Sequence, residues 1–245
     1  MKRDLRQSGD GELLIEGQRL PVTFRRRANA RRIVLRIDRS GLGIVLTLPQ
    51  HTSQRAALTF AASEKAWILE RIARSPERVP FTPGQRIPLR GRAHAIETTG
   101  ARGTIRLGAA PEPAILVPGR AAHLERRVGD WLKRQAALDL AVASRQHAKR
   151  LGVQFSRIVV RDTSSRWGSC SASGTLSYSW RLILAPPFVL DYVAAHEVAH
   201  LKEMNHGRRF WSLVHMLCPE ADMARSWLKA HGNALHLYGP ERSRQ

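Results

Sequence analysis

The sequence predicts an α+β protein, with an antiparallel β-rich region over residues 1–119 and a mixed helix and strand domain over residues 120–245. Two observations predict this order. Between residues 12 and 48, short aliphatic runs alternate with polar residues and are separated by glycine and proline, which is typical of strands and turns. From residue 120 onward, apolar residues recur at steps of three and four, which indicates a long amphipathic helix.

Four strands are predicted in the first part of the chain, and we expect hairpin turns to join them into an antiparallel meander. The strands cover residues 13–15, 21–24, 32–37 and 43–48, with Ser40-Gly41 as a turn. A helix follows, which Thr52 or Ser53 can cap and which runs to Ile72. Further short strands are expected between residues 76 and 118, where proline and glycine are frequent.

The second region opens with a predicted helix from Arg120 to Leu151, closed by Gly152. Strands are predicted at residues 158–161 and 176–184, with a tight turn over residues 164–170 between them. We expect the later strand to be an edge strand that can hold an extended peptide by backbone hydrogen bonds. Three more helices are predicted, and they begin at Pro186-Pro187, Phe210 and Ala221.

Composition is that of a globular protein. Hydrophobic residues make up 43% of the chain, and the longest apolar runs are too short to cross a bilayer. The first seven residues lack the apolar core of a signal peptide, so we expect a cytoplasmic protein with no membrane partner. The two cysteines, Cys170 and Cys218, give no disulfide framework, which fits a reducing compartment.

A strong positive charge makes nucleic acid a possible partner. The chain has 40 basic and 20 acidic residues, a formal net charge of +20. This excess is diffuse, and its clusters at residues 25–27, 31–32 and 126–127 have no interleaved aromatic residues on which bases could stack. Solvated arginine-rich strands are the simpler explanation of the charge, so the charge alone does not establish such a partner. The sequence does not indicate an oligomeric state.

The pentapeptide HEVAH at residues 196–200 carries the chemistry of the chain. On a helix, residues four apart lie on the same face, so His196 and His200 can direct ring nitrogens at one metal ion. His206 offers a third nitrogen. Three histidines suit zinc and leave a fourth position for water, as in catalytic zinc sites. Glu197 lies about 100° round the helix, where its carboxylate can reach that water without being a ligand.

The same pattern can occur on an ordinary solvated helix. Residues 191–201 are too apolar for a solvated face, however, and buried polar groups require a partner. Glu203 stands where HExxHxxGxxH proteases have glycine, and Asn205 could instead make the reversal that brings His206 back. Cys170 as a fourth ligand is an alternative, although a small buried thiol is the simpler interpretation.

Three blocks in order resemble the YgjP-like metallopeptidase-domain family. They are SSRWGSC at residues 164–170, WRLILAPP at residues 180–187, and HEVAHLKEMNH at residues 196–206 with Phe210-Trp211 after it. The N-terminal strands and the helix around residues 65–68 are similar as well, so the resemblance covers most of the chain. Three blocks are far more specific than one short motif.

This resemblance implies a zincin-like metallopeptidase domain over residues 120–245. It also implies that His196, His200 and His206 bind Zn²⁺ and that Glu197 is the catalytic residue. The family is similar to the SprT-like and Wss1-like proteases, which act on proteins crosslinked to DNA. No residue in this sequence indicates that the chain shares that substrate.

The expected reaction is hydrolysis of a peptide bond in a protein or peptide substrate, by a zinc-activated water with Glu197 as general base. A second donor for the oxyanion is usual in such reactions. The candidates by chemistry are Tyr178, Tyr192, Arg181 and His215. Two alternatives stay open: a basic nucleic-acid-binding protein with a structural zinc site, and a protease that DNA recruits to its substrate.

Overall fold

The computed structural model describes residues 8–38, 41, 43–74, 77–100, 102–108, 112–163 and 166–239. Ser40 of one predicted turn and residues 164–165 of another lie outside these ranges. The chain divides into two compact units, Met1–Glu77 and Arg78–Gln245, and each has its own hydrophobic core. The described residues form three sheets and six α-helices, which confirms the predicted α+β class.

The first unit contains a four-stranded sheet. Its strands are β1 (Ser8–Ile15), β2 (Gln18–Arg26), β3 (Val34–Ile37) and β4 (Ile44–Leu48). Two antiparallel hairpins, β1–β2 and β3–β4, pair in parallel through β2 and β4, giving the order β1-β2-β4-β3. The predicted antiparallel meander is therefore wrong at its centre, because residues 27–33 carry the chain past the position that β4 takes beside β2.

Two helices complete the first unit, α1 (Gln54–Ser63) and α2 (Lys65–Ala73). Ser53 caps α1 as predicted, since its hydroxyl accepts a hydrogen bond from the N–H of Ala56 at 3.1 Å. The single helix predicted here is divided at Glu64, whose ψ of 19° departs from helical geometry. Apolar side chains of the sheet and of both helices form the core of this unit.

The second unit opens with another four-stranded sheet, which packs on a long helix. Its strands are β5 (Arg86–Leu89), β6 (Arg92–Thr98), β7 (Arg106–Leu107) and β8 (Ala114–Val117), in the order β5-β6-β8-β7. Helix α3 (Leu124–Leu151) follows and ends at Gly152, whose left-handed backbone (φ 66°) closes it as predicted.

The sheet β5–β8 shares one core with α3. Ile87, Ile96 and Ile115 from the sheet and Val128 and Leu132 from the helix belong to a single buried cluster. Residue 119, where the sequence analysis divides the chain, consequently lies inside the second unit, and the boundary between compact units falls between residues 77 and 78.

A three-stranded sheet follows α3. It consists of β9 (Arg157–Arg161), β10 (Gly168–Cys170) and β11 (Thr175–Ser179), in the order β10-β11-β9. The prediction that β11 is an edge strand is wrong, because β10 pairs with it on one side and β9 on the other. Strands β10 and β9 are the edge strands of this sheet. The chain then forms a 3-10 helix at Trp180–Leu184, where the sequence predicted further strand.

The last three helices are α4 (Pro187–Ala199), α5 (Arg208–Leu217) and α6 (Ala221–His231). After α6, the buried guanidinium of Arg181 holds the chain by donating to the carbonyls of Leu235 and Tyr238 at 2.9 and 2.6 Å. Its charge is balanced by Asp162, which accepts at 2.8 Å. None of the helices in the described ranges has the length and apolar character needed to span a bilayer.

Candidate metal centre

Helix α4 carries the first two histidines into the interior of the second unit. It begins at Pro187, where the missing N–H removes no helical hydrogen bond. Most of its remaining residues are small or aliphatic and fully buried: Val189, Leu190, Val193, Ala194, Ala195, Val198 and Ala199. Because the helix is apolar on nearly every side, the polar residues of its last turn lie in a largely dry environment.

The structure brings the three predicted ligands together. Nε2 of His196 and Nε2 of His206 lie 3.1 Å apart, and one ring nitrogen from each of His196, His200 and His206 lies within 4.8 Å of the others. His206 comes from the loop after α4. The chain reverses there in a tight turn, in which the N–H of Gly207 donates to the carbonyl of Asn205 at 2.7 Å.

Hydrogen bonds orient two of the imidazole rings. Nδ1 of His200 lies 3.1 Å from the carbonyl oxygen of Glu203, which can only accept, so Nδ1 carries the proton. The lone pair of His200 is therefore on Nε2, the nitrogen left available to a metal ion. Nδ1 of His196 lies 3.4 Å from the hydroxyl of Tyr192 one turn earlier, while its Nε2 points at His206.

The surroundings keep the imidazoles of His196 and His200 neutral. Burial lowers the pKa of His196 to about 3, with smaller contributions from the neighbouring His200 and His206. Burial also lowers the pKa of His200. The ring of Phe210 lies 4.9 Å from that of His196 and 4.5 Å from that of His200, centroid to centroid. Neutral imidazole is the form that binds metal ions, so these rings are ready to act as ligands.

The donor set fits a zinc ion. Zn²⁺ takes imidazole nitrogen readily, and catalytic zinc sites have three protein ligands. Among the residues that the structure describes, the cluster contains the three histidines and no cysteine or carboxylate. The alternative in which Cys170 is a fourth ligand gains no support, since its thiol instead donates to the carbonyl of Ser171 at 3.4 Å.

Glu197 lies next to the cluster and is only 5% exposed. Burial raises the pKa of its carboxyl group to about 8, and the nearby Arg166 and a hydrogen bond from the backbone N–H of Cys170 act in the opposite direction. A carboxyl group in this range can take up and release a proton near neutral pH.

A cleft of about 630 Å³ opens beside His196 and Glu197. Its walls come from the start of β10, from α4 and from α6. On the α6 side, Arg225 stacks over the ring of Trp211 at 4.4 Å and donates to Asp222 at 3.0 Å. The cleft is therefore large enough for several substrate atoms and has charged groups along one wall.

The four candidates for an oxyanion donor lie in different environments. Tyr178 is buried and hydrogen bonded to Ser144 at 3.0 Å, and Arg181 is buried against Asp162. His215 lies on α5, with its ring 6.4 Å from that of Trp211. Of the four, only Tyr192 lines the cleft.

Comparison with known proteins places this site in a family. The family model described as YgjP-like, metallopeptidase domain, matches residues 31–231. The chain belongs to the YgjP-like family. The match covers most of both compact units and includes the three histidines and Glu197, so the resemblance inferred from the sequence blocks is confirmed.

Other comparisons with this YgjP-like chain are sparse. No curated protein sequence matches it significantly. Among solved structures, the metallopeptidase zymogen of abylysin from Pyrococcus abyssi is 23% identical, with a TM-score of 0.34 over 37% of this chain and 93% of that one. A TM-score this low does not establish a shared fold.

The sequence analysis missed the contact between β10 and Glu197. It treated residues 164–170 as a turn, whereas Gly168–Cys170 form a strand directly against α4. The signal was Gly168 itself, because a glycine inside a strand often marks the close approach of another group.

Proposed function

We propose that this protein is a zinc-dependent metallopeptidase that hydrolyses peptide bonds in protein or peptide substrates. The observation that carries the proposal is the convergence of three imidazoles beside one buried carboxyl group, next to a cleft that His196 and Glu197 line. Membership of a metallopeptidase-domain family supports the same reaction class. In this proposal the second unit contains the zincin-like catalytic domain.

His196, His200 and His206 would hold the zinc ion, and Glu197 would not be a ligand. When bound, zinc supplies Lewis acidity, which acidifies a water molecule and polarises the peptide carbonyl. The contribution of the three histidines is to present ring nitrogens that already lie within 4.8 Å of one another. The hydrogen bond from His200 to Glu203 fixes one of them in the tautomer that this requires.

Glu197 acts as the general base and then as the general acid. Its carboxylate accepts a proton from the attacking water, holds it in a site that excludes bulk solvent, and returns it to the leaving amine nitrogen. The raised pKa makes the carboxylate a stronger base toward the water than an exposed glutamate would be.

The substrate is expected to bind in extended form along β10. This strand pairs with β11 on one side, and its other edge can bond to a peptide chain through backbone groups other than the N–H of Cys170, which donates to Glu197. Strand β10 also begins at Gly168 in the wall of the cleft, so a peptide added to it would pass Glu197 and His196. Substrate binding would then depend mainly on backbone hydrogen bonds and less on the side chains of the substrate.

Substitution of Glu197 tests the proposal. Glu197→Gln keeps the shape of the side chain but cannot accept a proton, so we expect turnover of a denatured protein substrate to fall about 10²- to 10⁴-fold. Zinc content, measured by metal analysis after purification, should stay unchanged. Glu203→Gln is the matched control, because it makes the same chemical change three residues beyond His200 and should remain active. Wild-type turnover by Glu197→Gln would refute the mechanism.

The net charge of +20 supports a second candidate, a nucleic-acid-binding protein with a structural zinc site or a protease that DNA recruits. Either predicts tight DNA binding whose affinity falls steeply as salt increases. A structural site alone also predicts no hydrolysis, whereas recruitment predicts that DNA accelerates cleavage. Binding that is weak at low salt would remove both.

A further inference from the structure

We infer that strand β10 positions the side chain of Glu197, with Gly168 leaving the space that this side chain occupies and the backbone N–H of Cys170 holding its carboxylate. This inference rests on the proposed role of Glu197 as a base. It gives a function to the RWGSC motif at residues 166–170. Gly168 acts only through Glu197 and is therefore a positioning residue.

No side chain fits at position 168 while Glu197 is in place. A Cβ atom built on Gly168 would lie 2.5 Å from Oε1 of Glu197, 2.6 Å from its Cγ and 2.8 Å from its Cδ. Real Cβ atoms do not approach other atoms this closely. The overlap includes Cγ, near the root of the side chain, so rotating the carboxylate alone does not relieve it. An alanine at position 168 must displace either Glu197 or the strand.

The strand is the part less free to move. Strand β10 is hydrogen bonded to β11, and just before it the carbonyl of Trp167 accepts from the N–H of Ser179 at 2.8 Å. The ring of Trp167 stacks on the buried ring of His236, with the centroids 5.0 Å apart and the planes 17° from parallel. Because these contacts fix the backbone beside position 168, the displacement falls mainly on Glu197.

Cys170 provides the second constraint. Its backbone N–H donates to the carboxylate of Glu197. Two positions of β10, Gly168 and Cys170, therefore both contact the side chain of Glu197. Together they give the carboxylate a close backbone neighbour and a donor, and each turnover can begin with the base already placed for proton transfer.

Kinetics of Gly168→Ala test the inference. We expect kcat on a peptide substrate to fall about 10²-fold, with KM and zinc content unchanged, because the base is misplaced while substrate and metal sites persist. Gly129→Ala is the matched control. Gly129 lies inside α3, and a Cβ built on it would meet no atom nearer than a ring carbon of Phe81 at 4.0 Å, so this variant should keep its activity. Wild-type kcat in Gly168→Ala would overturn the inference.

A stability measurement tests the same contact without using activity. Gly168→Ala is compared with wild type, and Gly168→Ala/Glu197→Ala with Glu197→Ala, by thermal unfolding of the full chain. We expect the added methyl group to lower the unfolding midpoint in the first pair and much less in the second, where its space is open. Equal losses in both pairs would show that Glu197 is not what excludes a side chain at position 168. This comparison decides the matter even if Gly168→Ala folds poorly.

The two proposals fail in distinguishable ways. Full activity of Glu197→Gln removes the proposed function, whatever position 168 does. Loss of activity in Glu197→Gln together with normal kcat in Gly168→Ala removes only the positioning role of β10. The unfolding comparison reports on the contact between Gly168 and Glu197 in either case.

Discussion

The sheets β1–β4 and β5–β8 have the same topology and different uses. In each, two antiparallel hairpins join through a central parallel pair, β2 with β4 and β6 with β8. Helices follow each sheet, α1 and α2 in the first unit and α3 in the second. The first sheet belongs to a core of residues 13–72, whereas the second belongs to the core that also contains α4.

The similarity extends to the first turn of each sheet. Glu16-Gly17 joins β1 to β2, and Arg90-Gly91 joins β5 to β6. Both residues of both turns have positive φ, at 49° and 81° in the first turn and 50° and 76° in the second. This is the two-residue turn that matches the twist of a hairpin. Glu16 and Arg90 are also the two non-glycine residues with positive φ in the described ranges.

The contacts of the two turns differ. A Cβ at Gly17 would meet nothing within 4 Å, and Glu16 makes an exposed ion pair with Lys65. A Cβ at Gly91 would lie 3.0 Å from Cα of Pro186, the residue that precedes α4. The first turn leaves its glycine exposed, whereas the second is packed against the chain that leads into α4.

Arg90 strengthens the second contact. Its guanidinium forms two hydrogen bonds to Asp139 of α3, at 2.7 and 2.8 Å, and its backbone N–H donates to the carbonyl of Ile183 at 2.7 Å. The ion pair raises the pKa of Arg90 further and keeps it charged. Two turns with the same backbone conformation therefore differ in function. One is a solvent-exposed loop, and the other supports the structure because the chain before α4 packs against it.

Metal binding should produce the largest difference in stability between the two units. We expect zinc at about 1,000 times its Kd to stabilise the second unit by about 4 kcal/mol over the metal-free protein, because the ion binds only the folded histidine cluster. Hydrogen exchange read separately over β6 and β2 measures this. Exchange in β6 should slow roughly a thousandfold and exchange in β2 should not change. His206→Ala is the control and should remove most of the effect. Equal slowing in both strands would break the comparison.

The next largest difference should be in the stability lost when each hairpin glycine is replaced by alanine. Gly17→Ala places a methyl group in open space at positive φ, which costs about 1 kcal/mol. Gly91→Ala has the same backbone cost, and its methyl group also presses on the backbone of Pro186, which adds about 1–3 kcal/mol. Urea denaturation of the two variants measures the difference. Gly91→Ala should also weaken zinc binding, whereas Gly17→Ala should not. Equal destabilisation would show that the contact with Pro186 contributes nothing.

Sequence patterns predicted the features set by local chemistry. The cap at Ser53, the end of α3 at Gly152 and the start of the metal-site helix at Pro186-Pro187 all follow from single residues with strong local preferences. The spacing of His196 and His200 likewise follows from helical geometry. These features need no information about distant parts of the chain.

Features set by long-range pairing were not predicted. The parallel pairing of β2 with β4, the central place of β11 and the shared core of β5–β8 with α3 depend on residues far apart in sequence. In the turns at Glu16-Gly17 and Arg90-Gly91, only the glycines indicate a hairpin in the sequence. Glutamate and arginine rarely take positive φ, so they gave no such indication. The repeated topology has no repeated sequence to reveal it.

Lowering the pH should produce the smallest difference in stability between the two units. In the metal-free protein, burial lowers the pKa of His196 to about 3, against about 6.5 in the unfolded chain. Below pH 6.5, His196 is protonated in the unfolded chain but stays neutral in the folded chain, which favours unfolding. The contribution of neutral His196 to the free energy of unfolding is therefore complete above pH 6.5 and declines as the pH falls toward 3. The decline is at most about 1.4 kcal/mol per pH unit for one such group, and less here because the ring is partly exposed.

Hydrogen exchange at pH 7 and pH 5.5, each corrected for the intrinsic rate, measures this decline. The raised pKa of Glu197 would change stability in the opposite sense over this range, so the measurement uses the Glu197→Gln variant. In that variant, protection in β6 should fall about threefold to tenfold on acidification, and adding His196→Asn should reduce the fall. The first unit has only the exposed His51 among its described residues, so protection in β2 should change little. If β2 loses as much protection as β6, the acid sensitivity does not come from the buried imidazoles, and the contrast between the two units would have to rest on the hairpin contacts alone.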